Sequence, residues 1–133
     1  MSALFQRIEP SKKFRINVNT IARLLRIPKN LIVRVECWRY VIFVHRRDVG
    51  GQFVSYRKLQ EWQNAVACQI QKCSTRQQLE SLWPMIEKDE KKHKTQYKES
   101  VVPFLLKIWR KCWLALPDAF TDTNELLNQR SLP

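Results

Sequence analysis

The sequence predicts an α+β domain: a small antiparallel β-sheet with one short helix in the N-terminal half, packed by a C-terminal set of three to four α-helices. Three observations lead there. Residues 31–46 are dominated by Val, Ile, Phe, Tyr and Trp, which suit a pleated surface. The two glycines stand together at positions 50 and 51, where a hairpin connection needs positive-φ backbone. From residue 56 to Leu116 the apolar residues recur at intervals of three and four. A chain of 133 residues is long enough for one domain with a core and short for two. A single domain over 1–133 is expected, with an irregular arm at 1–11, a basic sheet-rich half at 12–55, a helical half at 56–117 and a tail at 118–133.

Residues 1–11 show no clear period, and Pro10 separates them from the next segment. From Lys12 the pattern alternates, Phe14, Ile16 and Val18 against Lys13, Arg15 and Asn17, which predicts a half-buried strand with a basic outer face. Asn19 is a good N-cap for a short helix from Thr20 to Ile27, with Ile21, Leu24 and Leu25 as its apolar face and Pro28 as its stop. The stretch 31–46 exceeds a usual strand, so a break or bulge is expected near Cys37–Arg39. Asp48-Val49-Gly50-Gly51 then makes a tight connection and Phe53-Val54 pairs back, giving a twisted hairpin with Arg46 and Arg47 beside its turn.

Ser55 reads as the N-cap of a helix whose stripe is Leu59, Trp62, Val66, Ile70 and Cys73. Ser74 with Gln77 forms a capping-box pattern opening a further helix with Leu79 and Leu82, which Pro84 breaks or restarts. Residues 85–99 favour helix but are mostly polar, anchored by Ile86 and Tyr97. Glu87–Lys91 and Glu90–Lys94, each at i,i+4, predict a solvated, self-paired face there. Val101, Leu105, Ile108 or Trp109, Cys112 and Leu116 make the most apolar stripe, closed by Pro117. The tail after Phe120, with Leu126, Leu127 and Leu132, predicts a docked short helix or a frayed end.

The segment Thr20-Ile21-Ala22-Arg23-Leu24-Leu25-Arg26-Ile27-Pro28-Lys29 resembles the second helix and turn of helix-turn-helix DNA-binding proteins. That resemblance implies a recognition helix next, at Asn30 to Trp38. The sequence departs from the family there: Arg26 stands where the turn glycine is usual, and Ile32, Val33 and Val35 are poor helix formers. A structural helix packed on a sheet accounts for the same residues.

Charge is the main functional signal. Residues 1–60 hold 13 Lys/Arg against Glu9, Glu36 and Asp48, a net of +10, whereas residues 61–133 hold 11 against 9 acids, a net of +2. Nine of the 13 are arginines, which fork bidentately onto phosphate and stack on flat rings. They interleave with Phe14, Trp38, Tyr40, Phe43 and Phe53, a pattern suited to nucleic acid. The expected function is a non-enzymatic nucleic-acid-binding protein, for DNA or RNA, with contacts from Arg34, Arg39, Arg46, Arg47, Arg57 and Lys58. Tyr40 or Trp38 would add base stacking on an unpaired strand. The rival expectation is a protein-protein adaptor or assembly subunit that docks a partner, or a second copy, through Trp109 and Trp113 on the last helix. A seam within the core is the plainer reading of those two tryptophans.

No enzyme, cofactor or metal site is expected. There is no phosphate-cradling glycine loop, GxSxG or HExxH. Glu36 and Asp48 could meet across a hairpin to hold Mg²⁺ for a nuclease, and His45 could act as a base, but nothing in the spacing selects either arrangement. Cys37, Cys68, Cys73 and Cys112 form no CxxC and read as buried free thiols. With no secretory h-region and an apolar run of only Val101 to Leu106, an intracellular protein without a membrane span is expected, cytoplasmic or nuclear/nucleoid-associated.

Overall fold

Ser2 opens the first helix, α1 (Ala3–Ile8), by accepting a hydrogen bond from the Phe5 N–H at 3.1 Å. The computed structural model in which this is seen describes residues 2–117. Leu4, Phe5 and Ile8 fall on one face of α1 and are buried, so the N-terminal segment is a helix in the core rather than an irregular arm. Glu9 takes a left-handed conformation (φ 51°), and Pro10, with its preset φ, begins the single-turn helix α2 (Pro10–Lys13).

The strand expected from Lys12 to Val18 does not form. Phe14 and Asn17 are extended, and Phe14 and Ile16 pack against the core, but the segment pairs with none of the described strands. Alternation signals one buried side and does not supply a partner ladder. Asn17, two residues before the expected cap, caps α3 (Val18–Leu25) by accepting from the Thr20 N–H at 3.0 Å. Arg26 closes α3 at φ 57°, the left-handed position usually held by glycine, and the Ile27 N–H reaches back to the Ala22 carbonyl at 3.1 Å. A 3₁₀ turn (Lys29–Leu31) and then a strand come next. The recognition helix implied by the helix-turn-helix resemblance is therefore absent, because the β-branched residues take the strand they prefer.

The sheet is a three-stranded antiparallel meander, β1 (Ile32–Cys37), β2 (Ile42–Arg46) and β3 (Gly50–Val54). The expected break lies at residues 38–41, closed by the Trp38 N–H donating to the Val41 carbonyl at 3.0 Å. Register pairs Ile32 with Arg46 but Arg34 with His45, so Val33 is an extra, bulged residue. The bulge restores the phase that turns Ile32 inward with Ile42, Val44 and Val54. Arg34, Glu36, Phe43, His45 and Phe53 consequently share the opposite face.

Ser55 caps a 3₁₀ turn (Tyr56–Lys58) instead of the helix proper, which is α4 (Gln60–Gln71). Leu59, Trp62, Val66 and Ile70 of its stripe are buried, and Cys73 is half-buried. Thr75, one residue after the expected cap, starts α5 (Arg76–Lys92), which runs through Pro84 without breaking. The last helix is α6 (Val101–Ala115). It packs on α4 and α5, α1 packs on α5, and α3 lies against β1. The sheet and helices thus share one core, with Leu4, Ile21, Val44, Trp62, Ile86 and Leu105 all fully buried.

One ion pair crosses that core. Asp89, read from sequence as part of a solvated charged face, is fully buried. Its carboxylate accepts from Arg57 Nε at 2.8 Å, Arg57 Nη2 at 2.7 Å, Ser2 Oγ at 2.5 Å and the Tyr97 hydroxyl. The Arg57 guanidinium lies over the rings of both Phe5 and Trp62, 4.9 and 5.2 Å from their centroids. Four separate segments are tied together at this point. All four cysteines are free, and Cys37 and Cys68 are exposed rather than buried. No helix of the described residues is long and apolar enough to cross a membrane.

Candidate nucleic-acid interface

The face of the sheet turned from the core carries aromatic rings. Alternation along β2 sends Ile42 and Val44 inward, so Phe43 goes outward. Register sets Phe53 directly opposite Phe43, with ring centroids 5.1 Å apart. Trp38, just past β1, stacks on Phe43 at 5.2 Å with the ring planes 16° apart, and meets Phe53 edge-on at 5.6 Å. Phe53 is 61% exposed and Trp38 45%. Next along, Gly51 leaves room for the Phe43 ring: a Cβ there would stand 2.4 Å from Phe43 Cζ.

A polar row adjoins these rings. The Glu36 carboxylate accepts from Arg34 Nε at 3.1 Å and from the Trp38 indole N–H at 3.3 Å, and lies 2.5 Å from His45 Nε2. The His45 contact, then the Trp38 and Arg34 hydrogen bonds, hold the Glu36 carboxyl below its ordinary value despite some desolvation. Because Glu36 is ionised, His45 Nε2 must carry the proton in that contact. Glu36 thereby fixes the edge of Trp38 and the stem of Arg34, whose side chain is still 64% exposed.

The arginines expected to contact phosphate divide into two groups. Arg34, Arg39 and Arg47 are exposed, with Arg47 Nε donating to the Asn30 carbonyl at 3.0 Å. Arg46 at the hairpin tip folds back: it forks onto Asp48 at 3.0 and 2.7 Å, donates to Gln52 at 2.7 Å, and its side chain is only 14% exposed. The Arg46 hydrogen bonds hold the Asp48 carboxyl below its ordinary range. Arg57 is buried against Asp89 and is a core residue. Arg46 and Arg57 are therefore removed from the expected contact set, since a guanidinium satisfied by a carboxylate has no free fork for phosphate.

Tyr40 is half exposed, but its ring meets Phe5 at 6.1 Å and lies under Arg39 at 5.1 Å, separate from the Trp38–Phe43–Phe53 group. With Gln6, Glu9, Ser11 and Lys12 it lines an open cleft of about 600 Å³. Lys58 is exposed in another cleft, beside Arg23 and Lys98. Phe43 and Phe53 do the most to build the outer face; their signal in the sequence was their alternation with the inward Ile42, Val44 and Val54.

On α6, Trp109 and Trp113 stack 5.0 Å apart, with Trp83 of α5 at 6.0 Å from Trp109. The Trp109 indole donates to the Leu79 carbonyl at 2.9 Å, and Arg76 lies 4.6 Å above Trp113. Both tryptophans are half-buried in the seam between α5 and α6. No protein family, no curated protein and no solved structure matches this chain.

Proposed function

We propose that this chain is a non-enzymatic nucleic-acid-binding protein that works through the outer face of its sheet. The supporting observation is a solvent-facing aromatic group, Trp38, Phe43 and Phe53, bordered by Arg34, in the half of the chain that carries +10. Soluble domains rarely leave such rings uncovered without a partner, and here the surrounding charge is complementary to phosphate. Arg34 and Arg47 would contact phosphates along the sheet and Arg39 in its first turn. The test is binding of labelled oligonucleotides across a salt series. Three phosphate contacts on a single strand give a log–log slope of about −2. Arg34→Glu/Arg47→Glu should abolish retention at moderate salt, and unchanged retention would falsify the reading.

A protein contact through α6 is the second reading. Leu114 is 79% exposed beside the Trp109–Trp113 stack. An apolar contact of that kind would persist through the same salt series, and Leu114→Glu would abolish it.

A further inference from the structure

We infer that the nucleic acid taken by this face is single-stranded, with unpaired bases stacked on Phe53 and Trp38. The inference rests on the nucleic-acid reading above and adds the form of the ligand. The Phe53 and Trp38 rings are open to solvent, and a base offers its own face to a ring only when it is out of a duplex. The outer surface also lacks the parts a duplex reader needs. Among the described residues no recognition helix is supplied to it, because α3 leads through a 3₁₀ turn into β1. The hairpin tip that could enter a groove is occupied with its own chemistry, Arg46 being forked onto Asp48.

The layout fits a short run of nucleotides. Each of three neighbouring segments contributes one ring: Trp38 from just past β1, Phe43 from β2 and Phe53 from β3. Phe43 is the inner ring, covered on one side by Trp38 and seated over Gly51, so Trp38 and Phe53 have the free surface. Two bases could therefore be held side by side across the strands. Arg34 lies on the same face at the level of His45, where a phosphate joining or following the stacked bases would fall. Glu36 pins the Trp38 indole edge and the Arg34 stem, so both are already ordered when the strand arrives. Base stacking on aromatic rings is open to DNA and RNA alike.

The experiment uses fluorescence anisotropy with the full chain and four labelled probes: a ten-nucleotide oligo-dT, a ten-nucleotide oligo-U, and a duplex DNA and a duplex RNA of about that length. Both single strands should bind more tightly than either duplex at matched salt. Phe53→Ala, an exposed position whose loss spares the core, should weaken single-strand binding about 5- to 150-fold. Its salt slope should stay unchanged, because no phosphate contact is lost. Phe53→Trp should bind like the parent. If a duplex binds as well as the single strands, or Phe53→Ala binds like the parent while Arg34→Glu/Arg47→Glu does not, stacking is wrong and the electrostatic reading stands. If no probe is retained even at low salt, the nucleic-acid reading itself fails and this inference with it.

Discussion

Replacing Asp89 by Asn should cost the protein about 3–5 kcal/mol of folding stability, the usual penalty for breaking a buried ion pair. The geometry shows why the amide cannot substitute. Arg57 donates Nη2–H to Oδ1 and Nε–H to Oδ2, so whichever way an amide is turned, its NH₂ meets a guanidinium N–H. Arg57 is buried and packs on the adjoining Phe5 and Trp62 rings, so it does not swing out to water. The Ser2 hydroxyl and the Tyr97 hydroxyl lose a charged acceptor as well. Against a total stability of about 5–15 kcal/mol for a domain, this is a large fraction. Urea unfolding followed by far-UV circular dichroism measures it. The double variant Asp89→Asn/Arg57→Met should be more stable than Asp89→Asn alone, because it removes the stranded charge and keeps apolar volume against the Phe5 and Trp62 rings. A loss below about 1 kcal/mol for Asp89→Asn would refute the reasoning, because hydrogen bonds to a buried charge are each worth more than that.

Acid should act through the same residue. Burial pushes the Asp89 carboxyl up, but hydrogen bonds from Arg57, Ser2 and Tyr97 outweigh it and leave the carboxyl below its ordinary value. A carboxyl depressed in the folded state stabilises it fully above the unfolded value of about 3.9, and that contribution is lost as pH falls through the lower folded value. Urea midpoints should therefore fall steeply below about pH 4, and Asp89→Asn should flatten that limb; parallel curves would contradict the assignment. Gly51→Ala should displace the Phe43 ring, since the new Cβ would overlap Cζ at 2.4 Å. The ring stands on the outer face, so the change should alter near-UV circular dichroism and weaken oligonucleotide binding while far-UV circular dichroism stays the same. A variant with unaltered near-UV signal would show that the ring is not seated there.

The strands and the three long helices were legible because each has a dense local signal: β-branched runs before a Gly-Gly turn, and stripes at steps of three and four. The N-terminal helices were not. α1 has six residues and α2 four, too few to show a period, although Leu4, Phe5 and Ile8 are the residues that bury. Phe14, Ile16 and Val18 alternate as a strand would, yet strand formation needs a partner that the fold does not provide. The candidate site was partly legible. Its charge and aromatic content could be counted, and Arg34, Arg39 and Arg47 are exposed as a contact role requires. The roles of Arg46 and Arg57 could not be read. Asp48 is close to Arg46 in sequence but the pairing depends on the hairpin, and Asp89 reaches Arg57 only through the packing of α5. The expected tail at 118–133 lies outside the described residues.

The claim that the outer sheet face binds nucleic acid is most directly tested by zero-length ultraviolet crosslinking to a single-stranded oligonucleotide, with the modified residues located by mass spectrometry. Aromatic rings stacked on bases are the groups placed to react, so crosslinks should fall on Trp38 and Phe53. Crosslinks confined to Trp109 and Trp113, or to Lys107, Arg110 and Lys111 on α6, would contradict the account and move the interface to the helical half.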